Sequence, residues 1–537
     1  MKMVGKGRKK IIDDREINEQ TIVQILTDAL AIHRENVVDI NSLIDYYKGQ
    51  QTILNRPAPS NSEINNKVVL NYAYSSERDI MGYTFGKPIQ IIPRKTKARK
   101  AIKELTDLME YENTNTVDNE VALFAGITGV GYFYTLPSEE ITSDYMPDVP
   151  ISLNHADPTN TFVIQSAKIS NPVRMSVNYW CDKHEGITHF VCYTDSKIYR
   201  VDSKSRYSIS GNPKNISVKV EKNLIGLNPI QMVSNNLFMM GDFEVAISVL
   251  DALNQLASDS MNDVQNVLQS LLVIINAELE EGSTDDIKKN RILEIIGSDG
   301  KNVDAKFIYQ QLDAIGANNL REYLEEAYKV IIGIPDRKTR GGGGGDTGDA
   351  VKLRDGWADI EVVARVKESY FKQAKKKQVA VIMKIMKELG VLKQELKLID
   401  IDIKFPRNKT DNLQSKAQSY STFVGTRTIA PEDALEMCDV TTDVVDVANR
   451  GKEYWDKVAE ENMAKEKEMM QASTASTEVA NSGNSTTSKK LGTNYTNNQN
   501  KVTSNIDGDN VKQIPSRFSG KSSDKEKEKS KRTKSNV

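Results

Sequence analysis

Residues 243–272 read FEVAISVLDALNQLASDSMNDVQNVLQSLL. Within this stretch Ala246, Val249, Leu250, Leu253, Leu256, Ala257, Met261, Val264, Leu268, Leu271 and Leu272 recur at three- and four-residue spacing. That spacing predicts one apolar stripe along a single long helix, with Asp242 placed to cap its start. The opposite face holds Asp251, Asn254, Asp259, Asn262, Asp263 and Asn266 and carries neither lysine nor arginine. A second helix, Asn318 to Ile332, repeats the arrangement, with Leu320, Leu324, Ala327 and Ile331 directed inward and Glu322, Glu325 and Glu326 outward. The stretch between the two helices reads as a small separate lobe, with strand candidates at Arg291 to Ile296 and Ala305 to Tyr309. An acidic helix face is most simply a solvated face, and the wall of a channel is the alternative.

Outward from this pair the chain is a mixture of helices and strands. After Pro335 come Arg340, the glycines Gly341, Gly342, Gly343, Gly344 and Gly345, then Asp346, Thr347 and Gly348, a stretch expected to form a mobile loop. From Ala350 a helical pattern runs through Leu353, Trp357, Ile360, Val363, Phe371, Ala374, Val381, Ile382, Ile385 and Leu389 to Gly390, which suits a C-terminal cap. About 40 helical residues would span roughly 60 Å. Strand-like Leu398 to Phe405 and further helices to about Met470 follow. On the N-terminal side, Asn18 to Tyr47 carries Ile22, Ile25, Leu26, Leu30, Val37, Ile40 and Ile44 at helical spacing. Between Val130 and Val220 lie short β-rich runs, Ser176 to Cys181, Thr188 to Thr194 and Lys197 to Val201, separated by Gly, Asn and Asp. The expected class is α+β, predominantly helical. Met1 to Ile12, basic through Lys2, Lys6, Arg8, Lys9 and Lys10, reads as a disordered arm. The Ser-, Thr-, Asn- and Lys-rich stretch from Gln471 to Val537 reads as a disordered tail, because it lacks the apolar side chains needed to offset chain entropy.

Composition narrows the function. A chain of 537 residues exceeds what one hydrophobic core usually serves, so several domains are expected. The 72 basic residues nearly balance the 74 acidic ones, so no bulk positive field recruits nucleic acid, and any dealing with DNA must be local or geometric. Cys181, Cys192 and Cys438 are too few for a disulfide framework and fit a reducing compartment. The strongly apolar run Leu271 to Ile275 falls far short of the roughly 20 residues that span a bilayer, so no membrane insertion is expected.

Catalytic chemistry finds little support. A phosphate-binding loop needs Lys and then Ser or Thr after its last glycine, whereas Asp346 follows Gly345. Gly82 to Lys87 (GYTFGK) has the lysine but not the glycine spacing, and reads as a turn before a strand. Cys181, His184, His189 and Cys192 form a C-x2-H-x4-H-x2-C array whose donors suit zinc. Its short spacer centred on Glu185-Gly186 instead favours a tight hairpin with incidental Cys and His. Only His33 and His155 remain for histidine-based acid–base work, and no nucleophile motif is present.

A resemblance then becomes specific. Asn223 to Asn236 (NLIGLNPIQMVSNN), Gly241-Asp242-Phe243-Glu244 and Val249 to Asn266 resemble the entry to the first stem helix of portal proteins from long-tailed phages of Gram-positive hosts. Ile334-Pro335-Asp336, the glycine loop and Thr347 to Glu361 (TGDAVKLRDGWADIE) are similar to that family's tunnel loop and the start of its long helix, although Thr347-Gly348 stands where the family often has Ser-Gly. Tyr46-Tyr47-Lys48-Gly49, Asn65-Asn66-Lys67, Asn71-Tyr72 and Gly82 to Pro88 resemble its N-terminal signature. These landmarks occur in the family's order from about residue 45 to 390.

The resemblance implies a ring of twelve subunits in the virion, at the portal vertex of the capsid, assembled in the host cytoplasm. Such a ring passes double-stranded DNA without sequence specificity, nucleates capsid assembly, docks the large terminase subunit, and joins head to tail. Its implied partners are further copies of itself, terminase, a head-completion adaptor, scaffold and major capsid protein. No cofactor, metal or enzymatic activity is implied. On that mapping residues 1–11 are the arm, 12–240 and 351–409 the wing, 241–272 and 313–334 the stem, 273–312 the clip, 335–350 the tunnel loop and 410–470 the crown. Twelve stem helices about 9 to 10 Å apart would leave an opening of roughly 25 to 28 Å, wide enough for a duplex about 20 Å across. Since each neutralised phosphate adds affinity that a motor must overcome, an acidic bore suits passage. The candidate wall residues are Asp251, Asp259, Asp263, Glu322, Glu325 and Glu326, and Lys338 and Arg340 beside Gly341–Gly345 are candidates for transient phosphate contacts. The competing readings are another phage head or scaffolding protein and a nucleotide hydrolase.

Overall fold

A computed structural model describes residues 5–58, 64–138, 151–268, 314–335, 357–392, 396–407, 413–426, 429–438, 441 and 444–480, together with four strands between 271 and 308. The chain opens with β1 (Ile11–Ile12), α1 (Ile22–Tyr47) and α2 (Tyr72–Thr84), then β2 (Gln90–Pro93), α3 (Arg99–Tyr111), α4 (Thr114–Thr128) and β3 (Val130–Pro137). Strands β4 (Ile151–Ala156), β5 (Thr161–Gln165), β6 (Val173–Asp182), β7 (Ile187–Tyr193), β8 (Lys197–Ser203), β9 (Ile216–Lys222) and β10 (Ile230–Ser234) follow. Beyond them come α5 (Ile247–Leu268), the short strands β11 (Leu271–Ile275), β12 (Ala277–Leu279), β13 (Ile295–Gly297) and β14 (Asp304–Ile308), and α6 (Ala314–Ile332). The long helix α7 (Trp357–Glu388), β15 (Ile401–Lys404), α8 (Leu413–Gly425), α9 (Pro431–Met437) and α10 (Val444–Ala480) complete the described chain. This is the expected α+β fold with helices predominant.

A six-stranded sheet in the order β1-β5-β6-β7-β8-β9 packs one face on α1, burying Ile22, Leu26 and Leu30 against Phe162, Val177, Phe190 and Tyr199. The expected hairpin is β6–β7, turning through Gly186 at φ +67°, where a side chain would be strained. A second core forms where α3, α4 and the three-stranded sheet β10-β3-β4 meet α7, around Leu105, Val121, Phe133, Phe371 and Ile382. A third, with Leu43, Ile80, Tyr83, Phe243, Leu250, Tyr328, Ile332, Ile360 and Ala364, joins α1, α2, α5, α6 and α7. The two helices first read from the sequence are rooted in this third core.

Several sequence expectations need correction. The arm is ordered from Gly5: Arg8 is buried, and Ile11 and Ile12 pair in parallel with Ile164 and Gln165. The helix predicted to continue through Leu272 ends at Leu268, and Leu271–Ile275 pairs antiparallel with β14. Val273, Ile274 and Ile275 are all β-branched, and that composition favours a pleated strand. Of the strand candidate at Arg291 to Ile296, Ile295 and Ile296 lie in β13, and residues 291–294 lie outside the described residues. The long helix is described from Trp357, so its expected start at Ala350 lies outside the described residues. Its end agrees with expectation, with Gly390 at φ +70° just beyond Glu388. Helix α10 continues to Ala480, past the point where Gln471 was expected to end order, and Ala472 and Ala475 there have high helix propensity. The second compact unit begins at Asp456 and is described as the remainder of that helix. The tail after 480 and the glycine loop lie outside the described residues.

Candidate functional site

Helix α5 starts from a buried polar root. Asp242 does not cap it: its backbone N–H donates to Gly126 O at 2.7 Å, its Oδ1 accepts from Asn235 Nδ2 at 2.7 Å, and its Oδ2 pairs with Lys367 of α7. Glu244 serves the arm. Its Oε1 accepts from the N–H groups of Lys6 at 3.0 Å and Gly7 at 2.8 Å and from Arg8 Nη2 at 2.8 Å, and its Oε2 accepts from Gly241 N at 2.9 Å. Gly7, at φ +64°, lies so close to Phe238 that a Cβ would collide with the Phe238 carbonyl. The arm is thereby latched to the first turn of the helix.

The polar face of α5 is largely covered by the chain's own residues 65–71. Leu70 N donates to Asn254 Oδ1 at 2.7 Å, Val68 N to Ser258 Oγ at 2.9 Å and Asn66 N to Asn262 Oδ1 at 2.8 Å. Four helical residues advance about 6 Å and two extended residues about 6.6 Å, so alternate amides of an antiparallel strap meet side chains at i, i+4 and i+8 in step. Asn254, Ser258 and Asn262 are all buried, with Asn254 and Ser258 at 0% exposure. The face expected to be solvated is therefore a docking track for backbone.

The six candidate wall carboxylates separate on this geometry. Asp251 accepts from Tyr46 Oη and Thr52 Oγ1, each at 2.7 Å, on the strap side of the helix. Asp259 pairs with Arg56 at 2.5 Å while keeping 40% of its side chain exposed, and Asp263, one turn further on, is exposed. In α6, Glu322 and Glu326 lie four residues apart on one exposed face. Glu325 was expected outward but is 6% exposed, accepting from Tyr72 Oη at 2.9 Å. The inward stripe of α6 is corrected as well. Tyr328 and Ile332 are buried, and Tyr328 Oη lies 2.7 Å from Ser76 Oγ, whereas Leu320 and Ile331 are each 48% exposed. Ile315, Tyr323 and Val330 of α6 and Val362 and Val366 of α7 are also exposed. Lys338, Arg340 and Gly341–Gly345 lie outside the described residues.

The first half of α7 is held by Arg407. Its guanidinium donates to Glu361 through Nε at 2.9 Å and Nη2 at 3.2 Å and also reaches Glu368, while Tyr83 Oη donates to Glu361 Oε2 at 2.6 Å. Burial alone would raise the Glu361 carboxyl, but the bonds from Arg407 and Tyr83 outweigh it and hold the pKa at about 2. The zinc array is not assembled: Cys192 is a core residue opposite Val177, while Cys181 lies opposite Thr188 near the hairpin turn. No cluster of three or more metal-ligating side chains occurs among the described residues. No described helix is long and apolar enough to cross a membrane. Sequence reading missed Arg8–Glu244, the strap and the Asp242–Lys367 pair. The one signal available beforehand was the spacing of Asn254, Ser258 and Asn262.

Among known proteins, no curated relative matches the chain. A solved structure titled "Neck of empty GTA particle computed with C6 symmetry" contains a chain with 13% identity and a TM-score of 0.43, the alignment covering 75% of this chain and 94% of that one. The family profile described as "Phage portal protein, SPP1 Gp6-like" matches residues 27–473, which include the strap and helices α5, α6 and α7. This chain belongs to the SPP1 Gp6-like family of phage portal proteins.

Proposed function

We propose that this portal protein works as one subunit of a twelve-membered ring at the capsid vertex, with double-stranded DNA passing through its centre during packaging and ejection. The family is structural rather than catalytic, and the role needs no cofactor or turnover by this chain. The observation that carries the reading is the two-sided exposure of α6. One side presents Glu322 and Glu326 and another presents Leu320 and Ile331, with Tyr323 and Val330 between them, apolar side chains that a single chain leaves in water. A closed ring accounts for both, since adjoining copies bury the apolar side by a head-to-tail contact and the acidic side remains for the bore.

On this reading α5 and α6 form the stem, β11–β14 the clip, residues 12–240 with the long helix the wing, and the helices from 413 the crown. The wall candidates become Asp263, Glu322 and Glu326, together with Asp259, which keeps 40% exposure beside Arg56, whereas Asp251 and Glu325 are engaged inside the chain. Lys338 and Arg340 beside the glycine run remain candidates for transient phosphate contacts. Terminase, adaptor, scaffold and major capsid protein are the proposed partners, with assembly in the host cytoplasm.

Replacing Glu322 and Glu326 together by lysine tests the wall. Each lysine that meets phosphate adds salt-dependent affinity, and a ring repeats it in every subunit. Packaging should slow or stall while rings still assemble, and raised salt should partly restore it. Unchanged packaging by assembled mutant rings would remove these carboxylates from the bore.

A further inference from the structure

Where α5 leaves the wing, three ionisable side chains meet out of water. Glu77 of α2 is 0% exposed, and neither carboxyl oxygen has a hydrogen-bond donor among the described residues. Asp242, at the root of α5, lies beside it, and Lys367 of α7 pairs with Asp242 Oδ2. Gly126 of α4 makes the meeting possible. A Cβ there would collide with Glu77 Oε1 and stand 3.1 Å from Asp242 Oδ2. Four separate elements thus converge on two carboxyl groups and one ammonium.

The remaining groups facing this node leave it short of positive charge. From α4 it meets the backbone of Gly126, from the preceding loop the Asn235 amide, and from α6 and α1 the phenols of Tyr328 and Tyr47, which are neutral at ordinary pH. The nearby Glu244 carboxylate is taken by Arg8 and the arm amides. One ammonium therefore faces two carboxyls, and two acceptors in contact without a donor between them are costly in a buried site.

We propose that Glu77 holds a proton that it donates to Asp242, and that this buried hydrogen bond beside the Asp242–Lys367 pair locks the stem helix to the wing and to the long helix. With the proton on Glu77, its hydroxyl donates to Asp242, the Asp242–Lys367 pair is neutral, and the unsatisfied acceptors are reduced by one contact. Without it the node carries a net negative charge, and α2 and the root of α5 repel each other. Burial, and then the Asp242 charge, push the Glu77 carboxyl well above its ordinary range, while Lys367 opposes them. An acid raised in the folded state binds a proton that the unfolded chain has already lost, so its contribution is fully present below about pH 4 and declines as pH rises towards the folded value. This gives the stem root a response to pH that the ring reading does not require.

Glu77→Gln keeps a neutral donor and removes the titration. The melting temperature of E77Q minus that of the wild-type ring should increase steadily from about pH 5 to about pH 8. The wild-type infrared spectrum in D2O at neutral pH should show a protonated-carboxyl C=O stretch that E77Q lacks. Asp242→Asn gives an independent route: with its neighbour uncharged, Glu77 becomes the ionised partner of Lys367, and the same band should vanish. A melting-temperature difference independent of pH, together with no carboxyl band lost in either variant, would overturn the proposal.

Discussion

Arg8 and Glu244 show what a single pair contributes to this architecture. Their side chains are 2% and 0% exposed, and burial holds the Arg8 pKa below its usual value despite the carboxylates of Glu244 and Asp39. A pair buried this deeply adds little net stability over an apolar isostere, but removing one partner strands the other. Arg8→Ala should therefore destabilise the chain by about 3 kcal/mol in denaturant unfolding, and protease should reach residues 5–12 in the variant. Glu361 supplies a pH signature of opposite sign to that of Glu77. Its carboxyl falls from a reference of 4.5 to about 2, so its contribution is complete above pH 4.5 and is lost as pH falls towards 2. The stability of Glu361→Gln plotted against pH should lack the acid-side decline that Glu361 gives the wild type, and superimposable slopes would show that Arg407 does not hold this carboxylate.

At the scale of elements, the strap decides which face of α5 is available. Asn254→Ala removes the acceptor of the Leu70 amide beneath the strap, and an unmade bond at a buried amide costs about 1–3 kcal/mol. The variant should lose about that much stability, with hydrogen exchange at Leu70 accelerated and exchange in β6 and β7 unchanged. This face also marks where sequence reading stops. Asn, Ser and Asp at helical spacing satisfy water and a neighbouring backbone equally well, so periodicity separates apolar from polar without naming the polar partner. The same ambiguity placed Leu271 and Leu272 in the helix, because a continuous apolar run fits either period. Local chemistry was legible where it is self-contained: the β6–β7 hairpin at Gly186 and the Gly390 helix end were read from the chain directly, whereas Gly82 to Thr84, expected to lie in a turn, form the end of α2, and only Phe85 to Lys87 bend towards β2. Arg8–Glu244 and Glu77–Asp242–Lys367 join residues far apart in sequence, and no spacing rule brings them together.

For the whole molecule, the proposed ring assigns the apolar side chains exposed on α6 and α7 to contacts between copies. Tyr323 and Val330, 67% and 75% exposed, contribute nothing to the fold of one chain, so Tyr323→Glu with Val330→Glu should leave the secondary structure and cores intact. It should nevertheless prevent ring formation, because each copy would bring two buried charges to every contact. Sequence alone reached the class and the family because the landmarks around Asp242, after Pro335 and near the N-terminus occur in the family's order, whereas the faces of α5 and α6 depend on what packs against them. The most direct test is the mass of the purified full-length protein by light scattering, with negative-stain images of the same fraction. A hollow ring near twelve times 60.1 kDa is the expected result, and a chain that stays monomeric at high concentration and with scaffold present would contradict the account.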